Sequence, residues 1–320
     1  MKAARISAPR TIDFLDIPQP TPSDGECLIK LEQLSVCGSD IRLEYDADLP
    51  EEEYPMAPGK PCHECAGVVV ESRTPEYNEG DRVIVIPREV AGMVEYTVQS
   101  PDRMIRLPEW GGLDEWVMCQ HSGTVLYSAK KWGNPVSKRI AVLGQGGIGL
   151  TFTMLAEKQG ALQVIGLDLH DYRLDKAREL GATHTVNPTK EDPVEAVQDL
   201  TDGKGLDIVV DASGAPEGLE NCVRLVNRGG VIISFSLITP MTASFSHRDW
   251  MAKNVTIHST VIAATNEPVK EIREIVALRD RGWIDPGLLK THNWGWNQIP
   301  EAFEMYANRS DGVIKVALKV

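Results

Sequence analysis

Positive charge, long apolar runs and cysteine are all in short supply in this chain. Lysine and arginine number 33 against 46 aspartates and glutamates, a net charge of -13. A cationic face that would neutralise phosphates is not expected, which argues against nucleic acid or an anionic membrane as partner. No segment reaches the ~18 to 20 uninterrupted apolar residues of a membrane span, and the opening MKAARISAPRTIDF has no apolar core of signal-peptide length. The expectation is a cytoplasmic protein. Only six cysteines occur in 320 residues: Cys27, Cys37, Cys62, Cys65, Cys119 and Cys222. In so long an intracellular chain they are better explained by metal ligation or inert burial than by disulfides.

What is present begins with a turn. An apolar run of strand length, Ile140 to Leu143, meets Gly144-Gln145-Gly146-Gly147-Ile148-Gly149, then the helical stretch TFTMLAEKQGA and the strand-like LQVIGLD ending at Asp168. Glycines let the chain turn tightly and approach a pyrophosphate, whose charge then sits on the unpaired N-H groups of the helix N-terminus. Asp168 lies 24 residues after Gly144, where a carboxylate can accept both hydroxyls of an adenosine ribose. The stretch therefore predicts a dinucleotide site.

With 42% hydrophobic residues, the chain can bury two separate cores. Residues 1 to about 110 hold short β-rich runs (CLIKLEQLSV, AGVVVES, DRVIVIP, VEYTVQ) between Pro, Gly and Asp clusters, a β domain of barrel-like type. After Trp110 helical and strand patterns alternate. Helices at DYRLDKARELGA, PVEAVQDLT and GLENCVRLVN interleave with strands at HTVN, LDIVVDAS, GGVIISFSL and NVTIHSTVIAA, the order that builds a doubly wound parallel sheet. This predicts a nucleotide-binding domain over residues 120–262 and a β-rich catalytic domain over 1–119 and 263–320. The tail reads as two helices, a final strand VIKVALKV and a folded Trp-rich loop, THNWGWNQ.

Two places in the β domain concentrate metal-capable groups: Cys37-Gly38-Ser39-Asp40 and Cys62-His63-Glu64-Cys65. A catalytic zinc takes three such ligands and keeps a fourth position open. The spacing alone leaves a bland reading open, in which the thiols are small buried hydrophobes and His63-Glu64 belongs to a surface ion pair.

The order Cys37-Gly38-Ser39-Asp40, His63-Glu64 followed by Ala66-Gly67-Val68-Val69, Gly80-Asp81-Arg82-Val83 and the glycine turn resembles the zinc-dependent medium-chain alcohol dehydrogenase family, in its sorbitol and threonine dehydrogenase-like branch. The likeness extends over nearly the whole chain, through Glu95-Tyr96, Gly181-Ala182-Thr183 and Asn187-Pro188. It implies a GroES-like β-barrel catalytic domain beside a Rossmann domain, with one catalytic Zn2+ and NAD. It places the zinc ligands at Cys37, His63 and, from its place 25 residues before Gly144, Cys119, with Glu64 as an alternate ligand. Ser39 would match the hydroxyl that bonds the substrate oxygen and passes its proton outward, and Asp40 the acid that holds the ligand histidine. For the cofactor it implies Gly144, Gly146, Gly147, Ile148 and Gly149, then Asp168, Arg173, Ser213, Phe235 and Lys315. Lys315 would contact the pyrophosphate, or without that role be an outward lysine on a strand. Asp168 disfavours a 2'-phosphate by charge repulsion, hence NAD over NADP.

Three departures from the family pattern stand out. The four-cysteine structural zinc lobe is missing, because VIVIPREVAGMVEYTV runs directly from one barrel strand to the next. Cys62 replaces the usual small residue before the ligand histidine. Arg42 stands where relatives end a proton relay with histidine; since arginine stays protonated, the proton leaves directly to solvent or Arg42 meets an anionic substrate. Arg88 and His121 are expected near the cleft. The expected function is hydride transfer between NAD and an alcohol of small polar, polyol or sugar type, in a homodimer or homotetramer paired near Thr256 to Val261. The alternatives are a zinc-free quinone or enoyl reductase of the same superfamily and a non-catalytic NAD-binding protein.

Overall fold

A computed structural model of the chain describes residues 1–237 and 242–320. The strands are β1 (Lys2–Ala8), β2 (Thr11–Asp16), β3 (Cys27–Ser35), β4 (Glu64–Ser72), β5 (Arg82–Val85), β6 (Tyr96–Gln99), β7 (Met104–Arg106), β8 (Arg139–Leu143), β9 (Gln163–Leu167), β10 (His184–Val186), β11 (Leu206–Asp211), β12 (Val226–Ser234), β13 (Thr256–Ser259), β14 (Lys290–Gly295) and β15 (Lys315–Lys319). The helices are α1 (Gly38–Asp40), α2 (Leu113–Trp116), α3 (Cys119–Ala129), α4 (Gly147–Lys158), α5 (Asp171–Glu179), α6 (Pro193–Leu200), α7 (Gly218–Leu225), α8 (His247–Lys253), α9 (Lys270–Asp280) and α10 (Ile299–Asn308). None of these helices is long and apolar enough to cross a membrane. The chain divides into two compact units, Met1–Gly123 with Asn266–Val320, and Thr124–Thr265.

The first unit is sheet-rich. β1 and β2 form an antiparallel hairpin, and seven further strands form a sheet in the order β14-β15-β3-β4-β5-β7, with β6 also on β3. β4 takes one edge of β3 along its whole length, while the other is shared: Cys27–Lys30 pairs with β6 and Gln33–Ser35 with β15. Register shifts at Leu28/Ile29 and Leu31/Gln33 let the strand bend between these partners. Ile29, Leu31 and Leu34 bury on a core shared with Val83, Val85, Phe303 and Val316, while Lys30 and Glu32 face solvent, the period-2 pattern of a half-covered strand.

One expectation for the tail fails. The Trp-rich stretch expected as a loop is strand β14, followed by a 3-10 turn at Trp296–Gln298. Its apolar pattern is poor, and parallel pairing with β15 from Lys290↔Lys315 to Gly295↔Lys319 supplies the ladder that local sequence does not announce.

The second unit is a six-stranded parallel sheet in the order β10-β9-β8-β11-β12-β13. Counted within the unit this is 3-2-1-4-5-6, the doubly wound arrangement whose strand order reverses beside β8. Its inner strands read as continuous apolar runs, and Ile140–Leu143, Val164–Leu167 and Ile208–Asp211 are buried, because helices cover both faces. The fold class is the one the sequence predicts: a β domain plus a doubly wound parallel sheet.

Candidate functional site

In the β-rich unit, the ends of two antiparallel neighbours bring the donors together. Ser35 pairs with Glu64 at the end of β3 and the start of β4, so Cys37, two residues past β3, comes beside His63, one before β4. The Sγ, imidazole nitrogen and carboxylate oxygen of Cys37, His63 and Glu64 lie within 4.8 Å of one another.

Asp40 organises two of them. Buried in the short helix after Cys37, it accepts the Cys37 amide on Oδ2 at 2.9 Å and faces His63 Nδ1 with Oδ1 at 3.1 Å. That tie leaves Nε2 of His63 as the outward donor, the orientation a metal-ligating histidine takes from a carboxylate behind it. Burial pulls the His63 imidazole down, but Asp40 and Cys37 outweigh it and hold it well above its ordinary value. This corner of the protein attracts positive charge. Ser39 donates its Oγ hydrogen bond to Cys37 Sγ at 3.2 Å, which puts a hydroxyl at the same corner.

Glu64 is fully buried, and Lys315 is its counter-ion. Lys315 Nζ donates to Glu64 Oε2 at 2.6 Å and to the Val36 carbonyl at 2.7 Å. Burial would raise the Glu64 carboxyl, but with the Lys315 ammonium as the largest opposing charge it is held below the usual range. Glu64 Oε1 is buried without a hydrogen-bond partner among the described residues. Lys315 is thus neither an outward lysine nor available to a pyrophosphate in this structure, since its ammonium is held inside the β-rich unit. The pattern Val313-Ile314-Lys315-Val316 carried that signal: a lysine inside a buried apolar strand needs a carboxylate partner.

Cys119 is not brought to this group. It is fully buried at the start of α3, desolvation pushes its thiol far up, and the charges that act on it are Arg279 and Asp285. Two residues on, His121 does face the cluster, with Nδ1 3.9 Å from Glu64 Oε2. Burial, then Lys315, push its imidazole down to about 3, so the ring is neutral. Successive helical residues turn by about 100°, and side chains at 119 and 121 therefore point to opposite sides of α3. Cys62 and Cys65 are buried behind His63 with their sulfurs 3.8 Å apart.

In the second unit the predicted nucleotide residues surround the glycine turn. Gly144 has φ +85°, and a Cβ there would stand 2.6 Å from the Ala212 carbonyl oxygen; one at Gly149 would fall 1.7 Å from the Gly144 oxygen. Only glycine allows either approach. Gly146 caps α4 without a side-chain hydrogen bond, so the first N-H groups of the helix, at Gly147 and Ile148, are not bonded by a capping side chain. Asp168, just past β9, accepts the Gln145 amide at 2.7 Å and the His170 amide at 2.9 Å. Each oxygen keeps a further lone pair for a ligand. Arg173 stands 3.7 Å from Asp168 and is steadied by the Tyr172 hydroxyl at 3.1 Å. Ser213 and the Phe235 amide both bond to Asp211 at the carboxyl end of β11, the end where open α/β sheets take ligands. Phe235 packs edge-on against Phe152 of α4 at 5.6 Å.

The fold and these two groups of residues define a two-unit dehydrogenase, and comparison with known proteins gives the family. The alcohol dehydrogenase GroES-like domain matches residues 23–129 and the zinc-binding dehydrogenase domain residues 147–278. The chain belongs to the zinc-dependent medium-chain alcohol dehydrogenase family. It is 28% identical to an alcohol dehydrogenase of Cupriavidus necator, across 100% of this chain and 98% of that one. To the sorbitol dehydrogenase of Bacillus subtilis it is 27% identical over 72% of this chain and 73% of the other. Among solved structures, an Escherichia coli oxidoreductase of unknown specificity superimposes with a TM-score of 0.88 at 26% identity, covering 100% and 99% of the two chains.

Proposed function

We propose that this protein is a zinc- and NAD-dependent oxidoreductase that interconverts an alcohol of small polar, polyol or sugar type with its carbonyl. The observation that carries the reading is the Cys37, His63 and Glu64 donor group, held by Asp40 and Lys315. Sulfur, imidazole and carboxylate are the usual zinc donors, and the buried, unpartnered Glu64 Oε1 is an acceptor that a cation would satisfy. Zinc bound there would polarise the substrate oxygen and favour its ionised form near neutral pH.

The chain's own residues account for the rest. Asp40 keeps His63 turned with Nε2 outward, and Ser39 Oγ, at the same corner, would take up the alcohol proton, while bound NAD would supply the hydride acceptor. Each turnover yields carbonyl, NADH and one proton. The glycine turn and α4 N-terminus would hold the pyrophosphate and Asp168 the ribose hydroxyls, with Arg173 3.7 Å from Asp168. Relatives named alcohol, sorbitol and L-threonine dehydrogenases support an alcohol substrate. Among the described residues β13 is the edge strand of its sheet, which supports assembly as a homodimer or homotetramer.

Metal analysis of purified protein and a panel of alcohols followed by NADH absorbance test the reading together. One zinc per chain and alcohol-dependent NADH formation are expected. A metal-free protein active on quinones or enones would overturn it in favour of a zinc-free reductase.

A further inference from the structure

The donors at the end of β3 and start of β4 are approached at Glu64 by the first turn of α3. On that helix the residue turned toward the donors is His121. It is 2% exposed, its Nδ1 lies 3.9 Å from Glu64 Oε2, and the charged groups acting on it are Lys315, Glu64 and His63. Cys119, with Arg279 and Asp285 as its charged surroundings, belongs to a different part of the unit. Zinc bonds of about 2.0 to 2.1 Å to nitrogen and oxygen set neighbouring donors of a tetrahedron about 3.3 Å apart. The 3.9 Å separation brings His121 to Glu64; the group whose donor atoms already lie within 4.8 Å of one another is Cys37, His63 and Glu64, so ligation by His121 requires its ring to turn toward Cys37 and His63. Lys315 anchors Glu64 by Oε2, which steadies the carboxylate that His121 faces.

We propose that His121 Nδ1, not a cysteine of α3, is the third protein donor to the metal, joining Cys37 Sγ and His63 Nε2 with Glu64 beside them. This rests on the zinc reading above. One thiolate and two neutral imidazoles leave a divalent ion with one net positive charge, where two thiolates and one imidazole would leave none. The site is then a stronger Lewis acid than a two-thiolate centre.

The zinc-loaded wild-type protein answers first. Its zinc-edge X-ray absorption is expected to show one sulfur neighbour near 2.3 Å and the rest nitrogen or oxygen near 2.0 to 2.1 Å. The cobalt-substituted protein should show the near-ultraviolet thiolate band of a single sulfur. Two sulfurs would overturn the proposal. In competition with a chelator, His121→Ala is expected to weaken zinc binding by about 100-fold or more, whereas Cys119→Ala keeps both the zinc and the cobalt band. Loss of zinc on Cys119→Ala with retention on His121→Ala would also overturn it. If His121→Ala does not fold, as judged by circular dichroism, His121→Gln takes its place and the wild-type spectra still decide. Absence of stoichiometric zinc from the wild type is a separate outcome: it defeats the zinc reading and this proposal with it, whereas the ligand results above defeat only the proposal.

Discussion

The nucleotide-side and donor-side groups of residues are built by opposite means. Around the glycine turn the key contacts are short in sequence: Gln145 to Asp168 spans 23 positions, and the turn is held by backbone amides and by space that only glycine leaves. On the donor side Glu64 and Lys315 are 251 positions apart and Lys315 and the Val36 carbonyl 279, and the contacts are buried charges. A substitution in the first should act through steric strain. In the second it should act through an uncompensated charge, which is the costlier fault.

The largest effect expected is at Lys315. Lys315→Ala leaves the Glu64 carboxylate buried and unpaired, and the loss should be about 3 to 5 kcal/mol in urea unfolding. The double variant with Glu64→Gln should recover most of it. A loss below about 1 kcal/mol would mean that the pair behaves as a surface one and would erase the contrast between the two regions.

Next comes Gly149→Ala, whose Cβ would fall on the Gly144 carbonyl oxygen. Crowding of this kind costs about 1 to 3 kcal/mol. NADH affinity by fluorescence titration should fall more than about tenfold, a change of about 1.4 kcal/mol, while zinc content stays at the wild-type value. Equal damage to zinc and NADH binding would show that the two regions are not separable.

A smaller effect is expected at Asp40. Asp40→Asn removes the charge behind His63 and should weaken zinc binding by about 10- to 100-fold in a chelator competition, with NADH affinity unchanged. The smallest is at Asp168. Asp168→Ser removes the carboxylate that would repel a 2'-phosphate, and the NAD-to-NADP ratio of kcat/KM should fall by about tenfold, on the order of 1.4 kcal/mol. An unchanged ratio would show that charge repulsion from Asp168 does not set the preference.

The nucleotide side was legible because its signal is local. A strand, a glycine turn and a helix are contiguous, and each glycine's role follows from the turn it must make. The donor side was legible only through resemblance, and that was enough to single out Cys37, His63 and Glu64. Cys119, which the resemblance placed with them from its distance to Gly144, lies outside that group in this structure, while His121 on the same helix faces Glu64; at about 100° per residue, two positions separate opposite sides. For Lys315 the resemblance implied a phosphate contact, yet burial among Val313, Ile314 and Val316 left its ammonium no partner nearer than Glu64. Strand β14 escaped for a related reason. Its hydrogen bonds come from β15, and nothing in Lys290–Gly295 alternates strongly enough to announce them.

By itself, the sequence determined the alternation of strands and helices, the doubly wound sheet, the glycine turn with its acid, and the residue types able to hold a metal. These depend on periodicity, turn chemistry and side-chain identity, all written in consecutive residues. Only the tertiary structure decided which charged groups meet: Asp40 with His63, Lys315 with Glu64, and His121 rather than Cys119 beside them. Such pairings depend on strand register and helix rotation, and both are set by the packing of segments far apart in the chain.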